Sequence, residues 1–378
     1  MALAAASAGF VPDRPDLGHR AEGLDLADPA FFADGLDPRA PRLLPPAAYR
    51  ALAFAELEDD AVWTRSWLAI GLGAEIPAPD DLLPFTAGHH GLHVQRTRDG
   101  GLVGRFNKAQ HGGCRAVPVQ CRTGIKTRCS FTACGYSRDG AVLSAGTEGP
   151  TPAMHQYLGL RPERLLPVAA RAWGPMLRIN LDPEAAPLKA PPEGLVALTG
   201  ETRRAEYAAN WKLAAQALAE GNRFAEAPDS LHLTGRLATG EAAAIATHFP
   251  NLVLIEARGE TCAVMLQPTA LGQTLLRIGL LGLEGRAAPD LEASSLEASW
   301  LEASWLEASW DAWLAEIAAR MARAVAAQAA LSRPDADEAL PTNAAGLWLQ
   351  RNLAACVRAR PAATDTQPLY ATAQGRGC

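Results

Sequence analysis

GLHVQRTRDGGLVGRFN, residues 91–107, contains two short apolar stretches that meet at Asp99-Gly100. An Asp-Gly pair between such stretches is a hairpin signal, because the tight turn needs positive φ and these residues tolerate it. The same texture continues through SRDGAVLSA (137–145), with a second pair at Asp139-Gly140, and WGPMLRINLDP (173–183). Residues 80–183 are therefore expected to form a small all-β domain with cysteine-rich loops between its strands.

Outward from this block the pattern changes. PPAAYRALAFAELEDDAVWTRSWLAIGL (45–72) is rich in Ala, Leu and Glu, with prolines at its start and apolar residues at helical spacing. It predicts a helix near 47–66 within an N-terminal helical segment, 43–79, that packs on the downstream domain. Residues 1–42, rich in Ala, Asp, Pro and Gly, are expected to form a loosely ordered arm. Residues 184–378 suggest a mixed unit. A helix is expected over 209–220 (ANWKLAAQALAE), and antiparallel strands at THFPNLVLIEA (247–257), TCAVMLQPT (261–269) and TLLRIGLLGLE (274–284). Most of the remainder should be helical.

Residues 291–310 repeat LEASS-LEASW-LEASW-LEASW. Five residues advance about 500° around a helix, so successive tryptophans point in different directions and no single apolar stripe results. The composition favours helix, and the segment is expected to be a surface insertion, the alternative being a Trp-rich contact helix.

The chain has 378 residues, a net charge of −6 and 48% hydrophobic residues, an ordinary globular composition. The basic residues form no stripe, which argues against a nucleic-acid partner. No apolar run reaches the roughly 18 residues of a membrane span. The N-terminus lacks the basic region of a signal peptide, and the seven cysteines do not form a secreted disulfide framework, so a cytoplasmic protein is expected.

Four of the cysteines, Cys114, Cys121, Cys129 and Cys134, fall close together after His111. Their spacing, C-x6-C-x7-C-x4-C, is not that of a standard zinc motif, although three thiolates and an imidazole can hold zinc. Free thiols, a zinc site and a Cys114–Cys134 disulfide all remain open. His89, His90 and His93 are expected at the surface.

Six segments in order give the chain a resemblance to a known family: ELEDDAVWTRSWLAIGLGAEIP (56–77), VQRTRDGGLVGRFN (94–107), AWGPMLRINLDPEAAPL (172–188), NWKL (210–213), HFPNLVL (248–254) and LWLQRNLA (347–354). It resembles the α subunit of Rieske non-haem iron, ring-hydroxylating oxygenases. The resemblance implies an α+β fold, with a Rieske-like small β domain and a helix-grip catalytic-type domain, an antiparallel sheet covered by helices. It also implies a trimer or hexamer, formed by this chain alone or with an active α subunit.

The family carries a [2Fe–2S] cluster and a mononuclear Fe(II). The cluster motif, C-x-H and then C-x-x-H, falls on Ala109, His111, Cys129 and Thr132, with 17 residues between His111 and Cys129. Ala109 and Thr132 stand where a Cys and a His belong. The two iron histidines fall on Arg223 and Pro228, and the iron carboxylate on Thr342 or Asn343. Glu220 falls on the carboxylate that bridges neighbouring subunits, and is expected to pair with a cation such as Arg223. The expectation is a chain with no cofactor and no oxygenase chemistry, a structural or regulatory partner of an active subunit. The alternatives are a small-molecule binding protein, with a pocket around Arg223, Leu218 and His248, and an oxygenase with unconventional ligands.

Overall fold

The computed structural model describes residues 24–88, 90–106, 126–128, 135–137, 156–158, 167–283, 295–333 and 340–360. Three short helices come first: α1 (Pro29–Ala33), α2 (Ala47–Arg50) and α3 (Leu52–Glu58), which runs into a π-helical turn at Asp59–Trp63. The loose arm expected over 1–42 is corrected from residue 24 onward. Phe32 is buried, and Gln350 Nε2 donates to Gly35 O at 2.6 Å and Arg42 O at 2.9 Å, tying this segment to the C-terminal helix.

Six strands form the first sheet: β1 (Leu68–Leu72), β2 (Leu82–Ala87), β3 (His90–Arg96), β4 (Leu102–Phe106), β8 (Pro167–Trp173) and β9 (Met176–Asn180). Their order is β1-β9-β8-β4-β3-β2. Asp99-Gly100 turns β3 into β4 as its composition demands, with Gly100 at φ 84°. Asp139-Gly140 lies outside the described residues. Three short strands, β5 (Lys126–Arg128), β6 (Gly135–Ser137) and β7 (Gln156–Leu158), make a separate small sheet. β1 corrects the helical expectation for 43–79. LAIGL is buried at every position and pairs with β9, a partner more than a hundred residues away that no local pattern reveals.

The second sheet holds β10 (Leu195–Ala197), β11 (Arg203–Tyr207), β12 (Asn222–Glu226), β13 (Ser230–Arg236), β14 (Ala242–His248), β15 (Leu252–Ala257), β16 (Glu260–Ala270) and β17 (Gln273–Leu283). All of its strand pairs are antiparallel. Three helices accompany it: α4 (Trp211–Leu218), α5 (Ser295–Leu331) and α6 (Ala344–Ala359).

The strands β15 to β17 are buried on both faces, which is why they appear in sequence as nearly continuous apolar runs. One face, with Leu233, Ile245, Val253, Ile255, Val264 and Ile278, joins Leu213, Trp313, Ile317 and Leu353 of the helices in the main core. The other face, with Leu252, Leu254, Ala263, Met265 and Leu281, packs against Ala69, Leu72, Trp173 and Met176 of the first sheet. Asn251 fastens the two sheets. Its side chain accepts from Ala69 N at 2.9 Å and donates to Ala69 O at 2.8 Å, acting as a strand partner for β1 beside its bulge.

The repeat belongs to α5, and its last unit corrects the expectation of a surface insertion. Trp310 is buried, and the Arg203 guanidinium stacks over its ring at 4.8 Å while pairing with Glu307 at 2.6 Å. Ser309 and Trp313 both donate to Glu260, at 2.5 and 2.8 Å. His93 also departs from expectation, being buried in β3, whereas His90 is half-buried and 3.6 Å from Asp59. His89 lies outside the described residues. Among the described residues no helix is long and apolar enough to cross a membrane.

Candidate functional site

The NWKL segment opens α4. Asn210 caps it, its side chain accepting from Lys212 N at 3.1 Å. The next turn is almost wholly buried, Lys212 included, and the Lys212 ammonium needs a counter-charge there. It meets Glu58 at 2.6 Å, inside a wall of Tyr49, Phe54 and Trp211 rings 5.0–5.4 Å from its nitrogen. Trp211 Nε1 donates to the other oxygen of Glu58 at 3.2 Å. Burial raises the Glu58 carboxyl and lowers the Lys212 ammonium, and each charge opposes the shift of the other. The pair joins the N-terminal helices to the second sheet's helical layer, and both side chains are nearly fully buried.

Further along α4, Gln216 points toward the start of α6. Thr342 Oγ1 lies 2.5 Å from Gln216 Oε1, and Asn343 Nδ2 donates to Gln216 O at 2.9 Å. Asn343 Oδ1 also caps α6, accepting from Gly346 N at 2.8 Å. Both residues are thus committed to structure. Arg223 is exposed, as is every residue of β12, and it pairs with Glu226, which also faces Arg351 at 3.5 Å. Glu220 pairs with Arg323, not with the Arg223 expected; both partners are half exposed, which accounts for a solvated ion pair with little energetic weight. Pro228 follows β12 and lines clefts on either side of it.

The pocket expected around Arg223, Leu218 and His248 does not form. Leu218 is in the helix-side core, Arg223 is exposed, and His248 lies with Ala246 on the opposite face of the sheet. There it lines a cleft of about 490 Å³ between the sheets. Trp67, Trp173, Arg178 and Asn180 line it from the first sheet, residues 186–190 cover it, and Asp229 and His248 line it from the second. The cover is held by two indoles: Trp67 Nε1 donates to Ala186 O and Trp173 Nε1 to Lys189 O, each at 2.8 Å.

Arg178 is 3% exposed, with its guanidinium 4.5 Å over the Trp173 ring and Nη1 donating to Trp67 O at 3.0 Å. Burial draws it down to about 9, against support from Asp229, and it stays charged at neutral pH. Burial also lowers His248 to about 3, helped by the charges of Arg178 and His232, so its imidazole is neutral. Sequence reasoning missed Arg178. The available signal was a cation in the middle of MLRIN, a strand otherwise fit for burial.

Compared with known proteins, the chain matches no family model. Over 120 residues it is 30% identical to the oxygenase subunit of glycine betaine monooxygenase from Pseudomonas aeruginosa, covering 32% of this chain and 28% of that protein. Over 142 residues it is 28% identical to the α subunit of biphenyl 2,3-dioxygenase from Rhodococcus jostii, covering 38% and 30% respectively. A solved quaternary ammonium Rieske monooxygenase in complex with γ-butyrobetaine superposes with a TM-score of 0.59 at 14% identity, covering 88% of this chain and 98% of that one. Naphthalene 1,2-dioxygenase from Rhodococcus sp., bound to indole, gives 0.59 at 13%, covering 87% and 96%. The chain is a homologue of Rieske oxygenase α subunits. Its sequence matches span less than a third of the length of the first of these relatives, whereas the fold likeness runs over most of the chain.

For this Rieske oxygenase homologue, the positions assigned to the mononuclear iron can be tested against Fe(II). Arg223 is a fixed cation, Pro228 has no side-chain donor, and Thr342 and Asn343 offer neutral groups already hydrogen-bonded to Gln216. These side chains do not fit the metal. The cluster positions Ala109, His111, Cys129 and Thr132, and the zinc alternative with Cys114, Cys121 and Cys134, lie outside the described residues.

Proposed function

We propose that this homologue is a non-catalytic partner of an active oxygenase α subunit, serving a structural or regulatory role in a cytoplasmic trimer or hexamer. The observation that carries the reading is the occupation of the iron positions: Arg223 held by Glu226, and Thr342 and Asn343 held by Gln216. An oxygenase needs imidazoles and a carboxylate converging on its metal, and these residues supply ion-pair and capping chemistry instead. Assembly is supported by analogy, since the solved quaternary ammonium monooxygenase is described as using inter-subunit electron transfer. A homologue with the same fold can offer matching surfaces without taking part in the transfer.

The test is anaerobic purification followed by iron and acid-labile sulfide analysis, a visible spectrum, and native mass spectrometry after mixing with an oxygenase α subunit from the same source. The proposal expects neither iron nor sulfide, no visible bands, and a mixed oligomer. Two irons with two sulfides per chain would replace it with an electron-carrying or catalytic role. A chain that never enters a mixed oligomer would remove the partner role.

A further inference from the structure

We propose that the cleft between the two sheets binds a small organic carboxylate with a flat, apolar body, Arg178 supplying its counter-charge and the two tryptophans its walls. Of the residues at the iron positions only Pro228 touches the cleft, and it has no role in the binding proposed, so the site stands or falls independently of the proposed partner role.

The charges of the cleft leave one cation over. Arg65 at its rim pairs with Asp182 at 3.5 Å, and Lys189 with Asp229 at 2.5 Å. Arg178 has no carboxylate within 4 Å among the described residues, although it is the most buried of the three cations. Among the described residues its Nε is enclosed without a hydrogen-bond partner, and only Nη1 is used, on Trp67 O. A guanidinium taken out of water normally keeps a carboxylate or several acceptors, because desolvating the charge is costly. Its flat face is already covered by Trp173, which leaves its edge for an in-plane acceptor, and a carboxylate is the acceptor whose geometry matches.

The rest of the cleft suits an organic body more than an inorganic ion. Trp67, Trp173, Pro187, Leu188 and Phe249 contribute apolar surface. The volume of about 490 Å³ is within the range of small-molecule sites. His248 adds a polar group to the cleft wall. Its ring sits edge-on to Trp173 at 5.0 Å, and among the described residues Nε2 is buried without a hydrogen-bond partner. Being neutral, it can donate to or accept from a ligand without adding a charge. A cationic ligand is disfavoured, since it would meet Arg178 in a desolvated space.

The test uses the full chain and sodium benzoate as probe, followed by tryptophan fluorescence and isothermal titration at constant ionic strength. Benzoate should bind once per chain. Arg178→Gln should weaken it about 10- to 100-fold, the usual weight of a charge-assisted hydrogen bond. Trp67→Ala, at the partly exposed rim, should weaken it several-fold and leaves the buried strand untouched should Arg178→Gln fail to fold. Inorganic phosphate and tetramethylammonium serve as competitors. Phosphate should displace benzoate only weakly, and tetramethylammonium not at all. The proposal is overturned if benzoate shows no saturable binding, if a folded Arg178→Gln or Trp67→Ala chain binds it as wild type does, if phosphate binds more tightly than benzoate, or if tetramethylammonium takes the site.

Discussion

Replacing Lys212 by Met would strand Glu58 among Tyr49, Phe54 and Trp211, and the cost can be worked out from the ionisation chemistry. The Glu58 carboxylate is 3% exposed, and Trp211 Nε1 at 3.2 Å would be its last charge-stabilising partner. A lone buried carboxylate escapes by taking up a proton. Relative to an unfolded glutamate that titrates near 4.3, holding that proton at pH 7 costs about 3.7 kcal/mol, at 1.36 kcal/mol per pH unit. In this variant the folded state binds more protons than the unfolded one between pH 4.3 and 7, so its stability must fall as pH rises through that window. Near pH 4 most of the penalty should be gone. Glu58→Gln leaves the mirror image. Lys212 would stay neutral when folded but titrate near 10.4 when unfolded, a penalty of about 4.6 kcal/mol at pH 7 that shrinks as pH rises. The double variant Glu58→Gln, Lys212→Met should cost less than either single change, because no uncompensated charge remains. Urea denaturation at pH 4.5, 7 and 9 reads all three. If Lys212→Met loses the same stability at pH 4.5 as at pH 7, the carboxylate is not being neutralised, and the account of this pair as a sealed ion pair is wrong.

Three other outcomes follow from particular contacts. A Cβ on Gly346 would run into Thr342 Oγ1 and Gln216 Oε1, so Gly346→Ala should destabilise the α4–α6 junction by about 1–3 kcal/mol in urea titration. Trp310→Ala should cost about 3–5 kcal/mol, whereas a mere surface insertion would lose almost nothing by the same assay. His248, held near 3 when folded and facing Arg178, His232 and Asp229, takes up its proton only in the unfolded chain as pH falls below 6.5. That difference should remove about 2 kcal/mol of stability between pH 7.5 and pH 5, a slope that His248→Phe should lack in thermal melts across the range.

The sequence revealed what depended on local pattern. LVLIEA and TCAVMLQPT are strands because β-branched and other apolar residues suit a sheet packed on both faces, and Asp99-Gly100 supplies the turn that β3 and β4 need. Long-range pairing was not legible. LAIGL sits at the end of a stretch full of helix formers, and only the edge offered by β9 and the side chain of Asn251 make it a strand. The five-residue repeat gives no stripe, and Trp310 is buried because that turn of α5 packs into the main core, with Arg203 stacked over its ring. The inter-sheet cleft brings Arg178 together with His248, residues from different sheets that no spacing connects. That Arg223, Pro228 and Thr342 or Asn343 fall on the expected iron positions could be read in the sequence. The new partners of those residues, Glu226 and Gln216, could not.

Those partners bear on whether family side chains placed at these positions would converge on a metal. If chemistry alone had changed, Arg223→His, Pro228→His and Asn343→Asp together would restore a two-imidazole, one-carboxylate set. The structure argues otherwise. Arg223 lies on a strand exposed at every residue, paired outward with Glu226, while Asn343 is turned into the α4–α6 junction by its bonds to Gln216 and Gly346. An aspartate at 343 keeps the capping acceptor and remains engaged by the helix N-terminus. A histidine at 223 remains on the solvent side of β12. The triple variant should therefore fold and bind no stoichiometric Fe(II) under anaerobic conditions, measured by metal analysis after gel filtration. One iron per chain would mean that the backbone still holds the three positions in register for a metal, and that three substitutions alone separate this chain from an iron-binding one.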